Sequence, residues 1–151
     1  MISSRFILTL FFIMTGLIFC FSAESSDLTI VPESDSTNGC DLAEAGFDEK
    51  ESFLKFFPQL KQSIKTSDPK KISLFILFPL KVNGKKSILI KDALEFESQF
   101  KRIMTNKLIK IIESQKLEDL SCQYQGVMFG DGEIWVQKKN GKVGISAVNP
   151  F

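Results

Sequence analysis

The stretch Ser121–Val148, SCQYQGVMFGDGEIWVQKKNGKVGISAV, decides the fold. From Ser121 onward hydropathy alternates with period two, the signature of half-buried strands. Two dipeptides inside it, Asp131-Gly132 and Asn140-Gly141, carry the chemistry of tight hairpin turns. Taken as a two-residue turn, Asn140-Gly141 sets Val136 opposite Ile145 and Ile134 opposite Ala147. Asp131-Gly132 likewise sets Phe129 opposite Ile134 and Val127 opposite Val136. Both turns place Val127, Phe129, Ile134, Val136, Val143, Ile145 and Ala147 on one face. Such an apolar face of an antiparallel meander requires a cover, and helices are the expected one.

The opposite face reads Cys122, Tyr124, Gly126, Met128, Trp135, Gly144 and Ser146. It holds the only tryptophan and the only tyrosine of the chain. Glycine inside a strand marks close approach of a side chain, backbone or ligand. Trp135 is expected to lie diagonally over Gly144. Three uses of this face stay open: a second core layer, a homodimer interface, or a platform for a small molecule with Tyr124, Met128 and Trp135 as the ligand-face candidates.

Upstream the pattern is helical. Asp48 and Glu51 have the spacing of a capping box. Phe53, Leu54, Phe57, Leu60 and Ile64 follow at helical spacing, with Pro58 expected to kink or split the helix. Asp68-Pro69 is a second start signal, and the apolar run after it, Lys70 to Leu77, reads as a short helix ended by Phe78-Pro79-Leu80. Leu80-Lys81-Val82 and Ser87–Ile90 flank Asn83-Gly84 as a hairpin. Asp92 opens a further helix with Phe96, Phe100, Ile103 and Met104 on one face. Thr105-Asn106 interrupts it and caps a turn carrying Leu108, Ile111 and Ile112.

The N-terminus speaks to location. Arg5 precedes Phe6–Phe21, sixteen residues without a charge, and Ser22-Ala23 follow. This is the pattern of a secretory signal peptide spanning 1–23. It is short for a spanning helix, so no stable membrane span is expected after cleavage. An uncleaved anchor and a lipoprotein acylated at Cys20 are the alternatives. Residues 24–54 hold nine acids and one base, and residues 55–151 nine acids and 17 bases. The Ser- and acid-rich segment 24–46 is expected as a flexible acidic leader, and 47–151 as the folded domain. Cleavage leaves Cys40 and Cys122 as the only cysteines of an exported, periplasmic or extracellular chain, so a disulfide between them is expected.

The quoted pieces together resemble a family. Ser67-Asp68, Phe78-Pro79-Leu80, Asp92 to Phe100, Gly126 to Trp135 and Ala147-Val148-Asn149 are similar to small secreted bacterial proteins of the NTF2-like superfamily, named after nuclear transport factor 2. The resemblance implies a curved sheet wrapped around helices, a cone with a pocket. It implies no single activity, because the superfamily holds isomerases, dehydratases, transport adaptors and proteins of unknown activity. The enzymes it resembles typically use His, Asp and Tyr in the cone.

The chain has no histidine, which removes histidine bases, His-dependent triads and histidine metal sites. No metal-ligand spacing is visible, no cofactor motif is present, and a net charge of +1 gives no support for nucleic-acid binding. Asp92, Glu95 and Glu97 read as solvated helix charges, and Lys85-Lys86 and Lys138-Lys139 as solubilising charges beside the Asn-Gly turns. The expected fold class is α+β, with N-terminal helices packed on a curved antiparallel sheet. The expected function is an exported binding or interaction module for a small molecule or a protein. The alternative is a histidine-free lyase- or isomerase-like enzyme using a buried carboxylate with Tyr124.

Overall fold

Strand order follows from the turns and from one long-range pairing that the turns do not encode. A computed structural model describes residues 39–150. The order of elements is α1 (Lys50–Lys65), α2 (Pro69–Ser73), β1 (Ile76–Val82), β2 (Ile88–Ile90), α3 (Ala93–Ser98), α4 (Phe100–Ile103), α5 (Asn106–Ser114), β3 (Ser121–Gln123), β4 (Gly126–Phe129), β5 (Ile134–Lys139) and β6 (Lys142–Val148). The strands form one six-stranded sheet in the order β2-β1-β6-β5-β4-β3. The fold is α+β, with the helices against one face of the sheet. The sheet is mixed rather than wholly antiparallel, because β1 runs parallel to β6.

The meander registers hold where the turns control them. Val127 pairs with Val136 and Phe129 with Ile134. Across β5–β6, Val136 pairs with Ile145, but a bulge follows and Ile134 faces Val148 instead of Ala147. An extra residue in one strand reverses which side chains face the core beyond it. Val148 is accordingly buried and Ala147 is left half-buried on the other face.

The apolar run expected to continue a helix to Leu77 is strand from Ile76, and α2 stops at Ser73. Asp68 caps α2 by accepting from the Lys70 N–H, with Pro69 in the first turn, as anticipated. Ile76-Leu77-Phe78-Pro79-Leu80 then becomes the second strand from the edge, lying between β2 and β6. Pro79 is tolerated because the β1–β6 register shifts between Ile76 and Lys81 and the β1–β2 pairing begins at Leu80. At that irregularity a missing N–H removes no ladder bond.

Helix α1 runs unbroken through Pro58. Pro58 and Leu54, whose carbonyl loses its helical donor, both lie on the exposed face, so that carbonyl is not left in the core. Phe56 rather than Leu54 completes the buried stripe with Phe53, Phe57, Leu60 and Ile64. The expected capping box does not form, since the N-cap is Glu49 and no side chain caps there. Asp92 and Thr105 do cap α3 and α5, accepting from the Glu95 and Leu108 N–H groups.

The core is aromatic. Phe47 meets Phe53 edge-on at 5.3 Å, Phe53 stacks with Phe57 at 6.0 Å, and Phe57 meets Phe129 of the sheet at 5.6 Å. Such pairs contribute about 0.5–1.5 kcal/mol each beyond area burial. Gln115 is the buried polar tie. Its Oε1 accepts the Gly130 N–H, its Nε2 donates to the Asp119 carbonyl, and its own carbonyl accepts Lys61 Nζ.

The packed region starts before Phe47. Cys40, Leu42 and Ala45 are buried, and a turn closed by Phe47 N–H donating to the Leu42 carbonyl holds them. Cys40, Leu42 and Ala45 of the expected leader therefore belong to the core. Cys40 and Cys122 form a disulfide with Cα atoms 4.7 Å apart. The expected signal peptide at 1–23, with its alternatives, and leader residues 24–38 lie outside the described residues.

Candidate functional site

Cross-strand pairing builds one row of side chains on the sheet face turned away from the helices. The pairs Lys81–Leu89, Lys81–Ala147, Trp135–Ala147, Met128–Trp135 and Ser121–Met128 lie directly opposite one another. Direct partners share a face, so Leu89, Lys81, Ala147, Trp135, Met128 and Ser121 form a continuous line across all six strands. Their neighbours along each strand, such as Val127, Ile134, Val136 and Leu80, are fully buried on the other side. Trp135, Met128 and Ala147 remain half-buried, while Leu89 is 58% exposed.

The bulge in β6 creates this line. With the unshifted register Ala147 would pair with Ile134 and face the core; with the bulge it sits beside Trp135. A shallow hollow of about 320 Å³ adjoins the indole, with Lys81, Asn83, Gln125, Gln137 and Ser146 around it. Those polar groups are held in place. Ser146 Oγ donates to the Trp135 carbonyl at 3.3 Å, and Gln137 Nε2 donates to the Gln125 carbonyl at 2.6 Å. Asn83 Nδ2 donates to Asn149 Oδ1 at 2.7 Å, and Asn149 Nδ2 donates to the Gly132 carbonyl.

Trp135 and Met128 are brought together, and Tyr124 is not with them. Tyr124 lies in the β3–β4 turn, 81% exposed, and its hydroxyl accepts from Gln125 Nε2. Among the described residues it has no carboxylate partner, and none of their Asp or Glu side chains is buried. The atoms nearest a Cβ on Gly144 belong to Phe75 and Leu77, not to Trp135. A Cβ built on Gly132 would stand 3.3 Å from Met128 Sδ and 4.0 Å from Trp135 Nε1. Gly144 instead makes room for β1, since a Cβ there would meet the Phe75 carbonyl at 3.0 Å. Gly126 makes room for the Val136 carbonyl. Both strand glycines thus serve backbone approach and not a ligand.

One carboxylate is perturbed, and in the direction opposite to a general base. The Lys107 ammonium, 3.0 Å from Glu133 Oε1, is the main cause that holds Glu133 below the usual carboxylate range, with burial opposing it and the Asp131 N–H adding to it. Neutral-pH proton abstraction needs a carboxylate raised toward 7. The pair instead fastens the β4–β5 turn to α5. A lowered folded pKa contributes stability that is fully present above the ordinary value of about 4.3 and is lost as pH falls through the folded value. Glu133→Gln should therefore cost about 1 kcal/mol at pH 6 and less at pH 3, measured by urea unfolding at both. A gap that persists undiminished at the lower pH would assign the loss to something other than the ion pair.

No group of three or more His, Cys, Asp or Glu residues among those described could hold a metal ion. No described helix is long and apolar enough to cross a membrane. The neighbours Lys81, Asn83 and Leu89 are not signalled as site residues by the sequence, because the parallel β1–β6 pairing that delivers them leaves no local mark. Comparison with protein-family models, curated proteins and solved structures gives no match to this chain.

Proposed function

We propose that the chain is an exported interaction module whose contact surface is the helix-free face of the sheet, centred on Trp135 and Met128. The observation that carries this reading is the line of Leu89, Ala147, Trp135 and Met128 left outside the core. Aromatic and methionine side chains with a polar rim are the composition of contact surfaces. Here the rim is Lys81, Asn83, Gln125 and Gln137. Partners with an apolar centre fit it, a second copy of the chain included. Export rests on the apolar Phe6–Phe21 run and the small residues after it. An NTF2-like membership is supported by the element order: helices, a short hairpin, more helix, then a long meander.

Trp135 is the only tryptophan, so its emission reports this face alone. Sedimentation equilibrium at about 1–100 µM, with emission read at the same concentrations, tests self-association, and photo-crosslinking from position 128 in the host tests other partners. Met128→Glu should abolish the concentration-dependent blue shift while leaving the melting temperature within a few degrees, because Met128 is outside the core. A monomer at 100 µM that also gives no crosslink from position 128 would sink the proposal.

A further inference from the structure

A second surface, on the far side of the molecule from Trp135, has its own chemistry. Between α1 and the α2–β1 junction run two adjoining hollows of about 590 and 340 Å³ that share Gln59, Leu74 and Phe75. They extend along α1 from Ser52 to Thr66, about 21 Å at 1.5 Å per residue. That length accommodates roughly six residues of extended peptide. The floor is apolar: Phe75 and Phe56 pack ring to ring at 5.8 Å, with Pro58 beside them. Leu74 stands 69% exposed in the middle, out of the core and covered by no described residue.

The charge around this floor has one sign. Lys71 lines one hollow, Lys55 and Lys142 the other, and no Asp or Glu lines either. Lys55 and Lys71 make no ion pair among the described residues, and Lys142 Nζ reaches only the Ile76 carbonyl at 3.3 Å. Ser63 adds an independent mark. It belongs to the groove wall, is 7% exposed, and its Oγ is the one buried side-chain polar atom among the described residues without a hydrogen-bond partner. Buried polar groups are normally satisfied, so an unpaired one behind the groove wall is unusual.

We propose that this groove binds an acidic peptide segment of a protein partner, with an apolar side chain seated against Leu74 and Phe75 and carboxylates facing Lys55, Lys71 and Lys142. The three ammonium groups supply charge complementarity, which sets orientation and encounter rate, and the apolar floor supplies the anchor. The proposal is independent of the Trp135 surface.

The test uses two fluorescein-labelled peptides of about eight residues that share a central Leu-Phe pair, one flanked by glutamates and one by lysines. Fluorescence anisotropy should show saturable binding of the glutamate peptide, at least tenfold tighter than the lysine peptide. It should weaken at least fivefold in about 0.5 M salt, where the screening length falls to a few ångströms. Leu74→Glu and Lys71→Glu should each cost tenfold or more. Leu94→Glu, at a leucine 78% exposed elsewhere, should cost nothing and serves as the folding-matched control. Equal binding of both peptides, no saturable binding below about 1 mM, or parent-like binding by Leu74→Glu would each overturn the proposal. So would a Leu74→Glu variant whose only change is loss of self-association, since that assigns the groove to a second copy.

Discussion

Ile134→Asp should unfold the domain. Ile134 is fully buried at the centre of the sheet's packed face, paired with Phe129 on one side and Val148 on the other. The substitution removes about 2–3 kcal/mol of apolar burial and places an unpaired carboxylate where no base is available. The sum, several kcal/mol, is comparable to the whole stability of a small domain, about 5–15 kcal/mol. Far-ultraviolet circular dichroism at 25 °C should show the loss directly. A companion pair tests the bulge in β6. Val148→Asp should be as damaging as Ile134→Asp, because the shifted register turns Val148 into the core. Ala147→Asp should move the melting temperature by only a few degrees, since Ala147 lies beside Trp135 on the open face. If Ala147→Asp unfolds the protein and Val148→Asp does not, the strands pair without the bulge.

That contrast marks where sequence reading stops. Asp68, Asp92 and Thr105 were legible as caps because capping is chemistry within four residues. The Val127–Val136 and Phe129–Ile134 pairs were legible because a tight turn dictates register near itself. The bulge was not, because Ser146 and Ala147 are neither glycine nor proline and nothing local marks an extra residue. Strand β1 reads as helix because Leu74 to Leu77 is continuously apolar, which suits a short helix and a buried strand alike. Its parallel partner β6 comes some sixty residues later and leaves no trace beside it. The site divides in the same way. Met128 and Trp135 were placed together by the turn between them, whereas Lys81 and Leu89 arrive through the parallel pairing. Tyr124 was assigned to the strand face by simple alternation, but Tyr124-Gln125 is the reversal between β3 and β4, followed by Gly126 at φ +127°. The acid-rich composition of 24–46 likewise hid a packed turn, since three side chains and one disulfide suffice to order it.

That disulfide is the second large lever. Cys40 is 3% exposed at the head of the turn that carries Leu42, Ala45 and Phe47 into the core, and Cys122 lies on the edge strand β3. The bridge spans 82 positions of sequence. In the loop-entropy model a closed loop of that size stabilises by about 4–5 kcal/mol, and measured losses for native bridges run about 2–5 kcal/mol. Reduction also frees the turn itself. Without the bridge its few apolar contacts must offset the ordering of residues 40–46 at about 1–2 kcal/mol per residue for the backbone alone. A chain beginning at Glu24 should therefore melt about 8–20 °C lower after reduction, using about 4 °C per kcal/mol for a domain of this size. Cys40→Ser and Cys122→Ser should each match the reduced parent, and the double variant should be no worse than either single one, since the two cysteines act as one bond. The core beneath the turn should report the release. Phe47 packs edge-on against Phe53, so amide exchange at Phe47 should rise to the level of an exposed loop while amides of β5 and β6 stay protected. Two titratable thiols in the unfolded, unreduced chain, or a melt unchanged by reduction, would show that the turn is held by its side chains alone.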